Sequence, residues 1–86
     1  MYIDEVCNTA DLSIEALVEI VELGIVVPLG RDIEDWDFSD PMLCRIIRAT
    51  RLRRDLDIDY PGVALALVLI DDLDSLRQEN TALKRM

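Results

Sequence analysis

Carboxylates are the most abundant groups in this chain that could take part in chemistry. The 86 residues include 18 Asp and Glu, nine Lys and Arg and no His, so the net charge is −9. Residues 1–44 hold eleven of the acids and a single base, Arg31. A surface of this kind attracts cationic partners and repels phosphates, and added salt weakens both effects. The first half of the chain therefore predicts an acidic binding surface.

Two groups of acids in this half are candidates for contact with a basic partner. Glu15, Glu19 and Glu22 follow one another at i, i+4 and i+7, which places them on one stripe of a helix. A second group lies further along, in a polar segment, and consists of Asp32, Glu34 and Asp35. Stripes of acids also occur as solvated faces with no partner, and the pattern alone leaves both interpretations open.

Sequence motifs for catalysis or metal binding are absent from the chain. It has no His, no Cys–His pair, no phosphate-binding loop and no D-x-D-x-D-G calcium loop. We therefore expect a protein that is not an enzyme and has no cofactor or metal. Cys7 and Cys44 are too few for a disulfide scaffold, so we expect small buried thiols in a cytoplasmic protein. We also expect no membrane-spanning helix, because no apolar run reaches 18 residues, and no secretory signal, because residues 1–12 lack a basic region followed by an apolar run.

The elements that position the acids are predicted to be mainly helical. Apolar residues repeat on one face over Tyr2–Ala10, which indicates a first short helix. A second helix begins after Ser13 as its N-cap, runs to Leu23 and ends with Gly24 at the C′ position. Two short helices joined by a tight turn form a helix-turn-helix.

The middle of the chain predicts a small β-wing. Its two strands would be Ile25–Leu29, which Pro28 restricts to a sheet edge, and Trp36–Phe38, with a polar loop between them. Trp36 and Phe38 would pin this wing to the core.

A third helix is predicted from about Pro41 to Leu56, capped by Ser39 or Asp40. It carries five arginines. Three of them, Arg45, Arg48 and Arg51, are expected on the side opposite the apolar face. We expect the arginines to pair mostly with the nearby acids of the chain, which are Asp55, Asp57 and Asp59. Contact with an anion or an acidic partner is the alternative.

The longest predicted helix starts at Pro61 and runs to the end of the chain. Val63–Ile70 is apolar nearly all round, which is typical of a helix packed on several sides. After it comes a seam with heptad spacing, formed by Leu69, Leu73, Leu76, Asn80 and Leu83. Acids at the g positions and bases at the e positions suit two parallel helices. We predict a homodimer through this seam, with packing on the chain's own domain as the alternative.

In this order, the elements resemble the winged helix-turn-helix of the MerR type. Residues 1–60 would form the winged domain with the third helix, and residues 61–86 the C-terminal helix of the same single domain. The chain resembles more closely the CbpM-type chaperone-modulator family. The matching residues are Glu22–Val26, Pro28, Trp36, Phe38, Asp40, Arg48, Ala49, Arg51–Arg53, Asp55, Leu56, Asp59–Ala64, Leu67, Asp71–Leu73, Leu76 and Gln78–Asn80.

The resemblance implies a non-catalytic regulator. Proteins of this family bind the J-domain of a DnaJ-like co-chaperone of the CbpA type and keep it from stimulating Hsp70. A J-domain presents a basic helix, so the two groups of acids described above become the candidate contact residues. The alternative is a MerR-like transcription regulator that binds DNA. Acids on the second helix and the wing disfavour it, because phosphates and base edges need hydrogen-bond donors there.

Overall fold

Four α-helices make up most of the computed structural model, which describes residues 1–84 and, from Ser75 onward, only the side chains of Leu76 and Arg77. The helices are α1 (Ile3–Ala10), α2 (Ile14–Glu22), α3 (Asp40–Leu56) and α4 (Tyr60–Lys84). A single 3₁₀ turn, Ile33–Asp35, lies between α2 and α3. The prediction of a mainly α fold is confirmed.

Short polar side chains and left-handed residues set the helix ends. The Ser13 hydroxyl accepts a hydrogen bond from the N–H of Ala16 at 3.2 Å, and the Ser39 hydroxyl accepts one from the N–H of Met42 at 3.4 Å. Each bond satisfies an N–H that has no partner within its helix. Gly24, with φ of 76°, turns the chain after α2. These caps confirm the predicted starts of α2 and α3 and the predicted end of α2.

The core lies where α1 packs on α2 and α3, and where α3 packs on α4. Every helix contributes to it, and so does the loop between α2 and α3. Its buried side chains among the described residues are Ile3, Val6, Leu17, Ile20, Ile25, Val26, Phe38, Ile46, Ala49, Tyr60, Val63 and Leu67. Along α4, Leu67 is the last side chain described as buried. Among the described side chains of α4, only those of its first two turns therefore belong to the core.

The two predicted strands are replaced by a loop, residues 25–38, which we call the wing loop. Within residues 1–84 it holds no strand and one antiparallel bridge, in which Leu29 and Asp37 exchange N–H···O bonds of 3.2 and 2.8 Å. A longer ladder would pair Val27 with Ser39, but Ser39 is already the N-cap of α3. On the other side of the bridge, the 3₁₀ turn removes the extended conformation that pairing needs.

The wing loop is nonetheless closely held. Phe38 is buried in the core and meets the half-buried Trp36 edge-on, with ring centroids 6.3 Å apart. This confirms that the two aromatic residues pin the segment. The backbone of Phe38 also exchanges hydrogen bonds of 2.7 and 2.9 Å with Met1, whose ammonium lies 2.9 Å from the Asp37 carboxylate. Asp37 raises the pKa of that ammonium through this hydrogen bond.

Arg45 faces the domain, contrary to the prediction that it lies on the outer side of α3. Its Nε donates to the carbonyl of Ile25 at 2.7 Å, and its Nη2 donates to the Asp71 carboxylate at 3.4 Å. The reason is that Arg45 precedes the buried Ala49 by one turn, at the edge of the buried face. Its acidic partner is on α4, whereas the predicted partners were Asp55, Asp57 and Asp59. A single guanidinium thus connects three segments.

Gly30 is the wing-loop position where a larger residue should be most costly. Its φ is 116°, and a Cβ added there would lie 2.6 Å from the carbonyl oxygen of Asp35. We expect Gly30→Ala to lower the free energy of unfolding by about 2–3 kcal/mol in chemical denaturation, because the steric overlap adds to the strain of the positive φ. Gly24→Ala is the matched control, because its φ is also positive but no atom lies within 4 Å. It should cost about 1 kcal/mol, and equal losses for the two variants would contradict the close packing at Gly30.

The two thiols should differ in reactivity. Cys7 is half-buried, and desolvation, followed by the charges of Asp4 and Glu15, raises its pKa. Cys44 is exposed, so the prediction that both thiols are buried is wrong for Cys44. We expect iodoacetamide to modify Cys44 well before Cys7 at pH 8, because a raised pKa lowers the thiolate fraction. Peptide mass mapping over time would measure both rates, with Cys44→Ser as control, and equal rates would refute the difference.

Candidate functional site

The three acids of α2 all face solvent. Glu15, Glu19 and Glu22 are exposed, while Leu17 and Ile20, on the opposite side of the helix, are fully buried. The helix carries no basic residue. Among the described residues, none of these carboxylates forms an ion pair, so their charge is directed outward. We call this stripe the acidic face of α2.

The second group of predicted acids lies on the 3₁₀ turn of the wing loop. Asp32, Glu34 and Asp35 are exposed, and within the described part of the chain they too form no ion pair. The N–H of Asp35 donates to the carbonyl of Asp32 at 2.9 Å, which closes the turn and brings the three acids together. Residues 23–31 separate this group from Glu22, the last acid of the acidic face of α2.

Exposed apolar side chains in the wing loop were missed by the sequence prediction. Val27 is 73 % and Leu29 is 72 % exposed, and they alternate with the buried Pro28. Because successive side chains of an extended segment point to opposite sides, both project into solvent. Ile33, on the 3₁₀ turn, is 43 % exposed. We call Val27, Leu29 and Ile33 the wing patch. The signal that could have revealed it is the Val-Pro-Leu alternation ahead of Gly30.

A cleft of about 630 Å³ opens where the α1–α2 turn meets the end of α3 and the start of α4. Its residues include Asp11, Asp57 and Asp59 together with Arg53 and Arg54. A neighbouring lobe of about 500 Å³ is lined by Glu15 and Glu19, so it borders the acidic face of α2. The guanidinium of Arg53 lies 5.1 Å from the centre of the Tyr60 ring, which is a cation–π contact. Arg53, which also lines the second lobe, therefore places a positive charge at the border of the acidic face of α2.

The predicted seam of α4 is exposed as far as it is described. Leu69, Leu73 and Leu76 are 54–55 % exposed, and they lie on the side of α4 opposite the buried Val63 and Leu67. The alternative that the seam packs on its own domain does not hold for these three leucines. The side chains of the remaining two seam residues, Asn80 and Leu83, lie outside the described ones.

Two further exposed apolar residues extend this stripe toward the start of α4. Leu65 is 63 % and Val68 is 54 % exposed. The prediction that Val63–Ile70 is packed on several sides is therefore wrong. The physical reason is that α3 covers only one face of α4. An apolar stripe of about three turns is left uncovered by the domain itself.

The described residues contain neither a candidate metal site nor a candidate membrane span. No three or more Cys, Asp or Glu residues among them are grouped so that they could hold a metal ion. None of the helices, over the described part, has the length and apolar character needed to cross a membrane.

Comparison with known proteins agrees with this architecture. A family model described as MerR HTH family regulatory protein matches residues 1–85. "Chaperone modulatory protein CbpM" of Pseudomonas entomophila (strain L48) is 44 % identical over 79 residues, which are 92 % of this chain and 78 % of that protein. The protein of the same name from Escherichia coli O139:H28 is 45 % identical over 85 residues, with 96 % of this chain and 82 % of the relative covered. The resemblance stated from the sequence is thereby confirmed.

Proposed function

The chain belongs to the CbpM family of chaperone modulatory proteins, and we propose that it binds the J-domain of a CbpA-type co-chaperone. By occupying that domain it would prevent stimulation of Hsp70. The role needs recognition and no chemical step, so we propose a regulator without catalysis that acts in the cytoplasm. In this role the negatively charged surface of the chain would bind a positively charged surface of the J-domain.

The observation that carries this proposal is the outward charge of α2 and the wing loop. The six candidate contact residues are all exposed and, among the described residues, unpaired. These residues are Glu15, Glu19, Glu22, Asp32, Glu34 and Asp35. They attract a basic helix over several ångströms and raise the rate of encounter. They also lose no ion pair of their own when the partner binds.

DNA binding is the second candidate function, and the match to a MerR helix-turn-helix model over residues 1–85 favours it. In helix-turn-helix proteins the second helix enters the major groove and offers donors to bases and phosphates. Here α2 offers three carboxylates instead, and the wing loop adds more. The exposed arginines of α3, such as Arg48 and Arg51, lie on a different helix from the one that would read bases.

Titration with an isolated J-domain and with duplex DNA separates the two candidates. At about 0.15 M salt, where screening is physiological, we expect the J-domain to bind and the DNA not to bind. Glu15→Gln, Glu19→Gln and Glu22→Gln combined should weaken J-domain binding about ten-fold or more, as expected for loss of charge-assisted contacts. Calorimetry or fluorescence anisotropy would give both affinities.

A control variant separates local contact from total charge. Asp4→Asn, Glu5→Gln and Asp55→Asn also remove three exposed charges, but outside α2 and the wing loop. This variant should keep most of the J-domain affinity. Tight DNA binding without a response to the J-domain would overturn the proposal, and equal losses in both variants would show that net charge alone is recognised.

We propose in addition that two copies pair through the seam of α4. Leu69, Leu73 and Leu76 present an apolar stripe that the rest of the domain leaves in solvent. A chain of 86 residues buries a limited share of its surface, so burial between two copies adds substantially to stability. Parallel pairing would bring Asp72 toward Arg77 of the other copy.

Charging the seam should abolish pairing. We expect Leu73→Asp with Leu76→Asp to sediment as a monomer where the unmodified chain sediments as a dimer, because carboxylates would be buried against apolar groups. Both side chains are exposed in the single chain, so circular dichroism should report an unchanged fold. Val27→Asp with Leu29→Asp adds the same charges at another exposed apolar site and should leave the mass unchanged. An unchanged mass for the seam variant would refute pairing.

A further inference from the structure

The two most exposed large apolar side chains among the described residues both lie in the wing loop. They are Val27 and Leu29, at 73 % and 72 % exposed, and Ile33 lies on the turn that follows. Neither charge steering nor the proposed α4 seam explains why these residues are apolar. Exposed apolar side chains that lie together are a frequent mark of contact sites.

The wing patch is held outward by rigid local structure. Pro28 is buried between Val27 and Leu29, and the bridge from Leu29 to Asp37 fixes the backbone with bonds of 3.2 and 2.8 Å. Close contact between Gly30 and the backbone of Asp35 restricts the loop further. A surface fixed before binding loses little conformational entropy on binding. The patch is therefore shaped as an anchor.

Acids surround this patch along the chain. Asp32, Glu34 and Asp35 flank Ile33, and Glu22 ends α2 five residues before Val27. The exposed Arg31 is the one base of residues 22–35, so acids outnumber bases there by four to one. Binding surfaces commonly combine an apolar centre with a polar rim. The sign of this rim specifies the occupant: a helix that carries apolar side chains between lysines and arginines. Phosphates, whether of nucleic acid or of anionic lipid, would be repelled.

We infer that the wing patch is the apolar anchor of the J-domain contact, with Val27 and Leu29 buried against apolar side chains of the basic helix. The inference rests on the proposed function and deepens it. In this arrangement the acids set the rate of encounter and its salt dependence, whereas the wing patch sets how long the complex lasts.

Substitution of the patch should weaken binding without changing its response to salt. We expect Val27→Ser with Leu29→Ser to weaken affinity for the isolated J-domain about ten-fold or more, since each buried side chain of this size contributes that much. The slope of log Kd against log salt concentration should stay the same. In the Glu15, Glu19 and Glu22→Gln variant the slope should fall instead, because fewer charges attract the partner.

A matched control removes apolar surface elsewhere. Leu65→Ser with Val68→Ser acts on exposed side chains of α4 and should leave binding to the monomeric J-domain unchanged. Circular dichroism checks that each variant is folded. The milder Val27→Thr keeps the branched shape but replaces one methyl group with a hydroxyl. It should lower the affinity for the J-domain by a smaller factor.

The outcomes distinguish failure of the anchor from failure of the proposed function. If the unmodified chain does not bind the J-domain, both fail. If the Glu→Gln variant weakens binding while the wing-patch variants bind normally, the anchor is overturned and the proposed function stands. If Val27→Ser with Leu29→Ser abolishes self-association in sedimentation yet binds the J-domain normally, a second copy covers the patch, and the anchor is equally overturned.

Discussion

Limited burial capacity is the constraint on which the rest of this structure depends. Half of the residues are hydrophobic, but a chain of 86 residues folds around a thin core. Helices α1 and α4 pack on α3, and α2 packs on α1, which leaves many apolar side chains exposed, with two groups of them standing out. One is the seam of α4 and the other is the wing patch. Both therefore follow from the same shortage of interior.

The polar contacts of the domain compensate for this thin core by linking its parts. Arg45 joins the segment after α2 to α4, and the Leu29–Asp37 bridge closes the wing loop. Such contacts contribute little each, since they replace hydrogen bonds to water. Their main effect is to fix the positions of the wing loop, and of the α2 segment that leads into it, relative to α3 and α4.

How far the sequence could predict the structure depends on whether a feature is decided locally. The starts of α2 and α3 were predictable because Ser13 and Ser39 act on an N–H three residues away. The missing strands were not, because pairing at Val27 competes with the cap of α3. Arg45 and Cys44 lie at the edge of a helical face, where periodicity does not decide burial. The exposure of the acids was predictable from charge alone, whereas apolar type indicated burial for Val27 and Leu29 and was misleading.

The position of the seam on α4 has a consequence for valency. It faces away from Val63 and Leu67, and hence away from the side on which the other helices pack. A dimer formed through the seam would leave the acidic surface of each copy accessible, so it would be bivalent. A target that itself carries two matching domains would then bind at both sites, and the second binding event would be intramolecular. Modest affinity at each site could thus give slow dissociation of a target with two binding domains, while a target with one such domain would dissociate quickly.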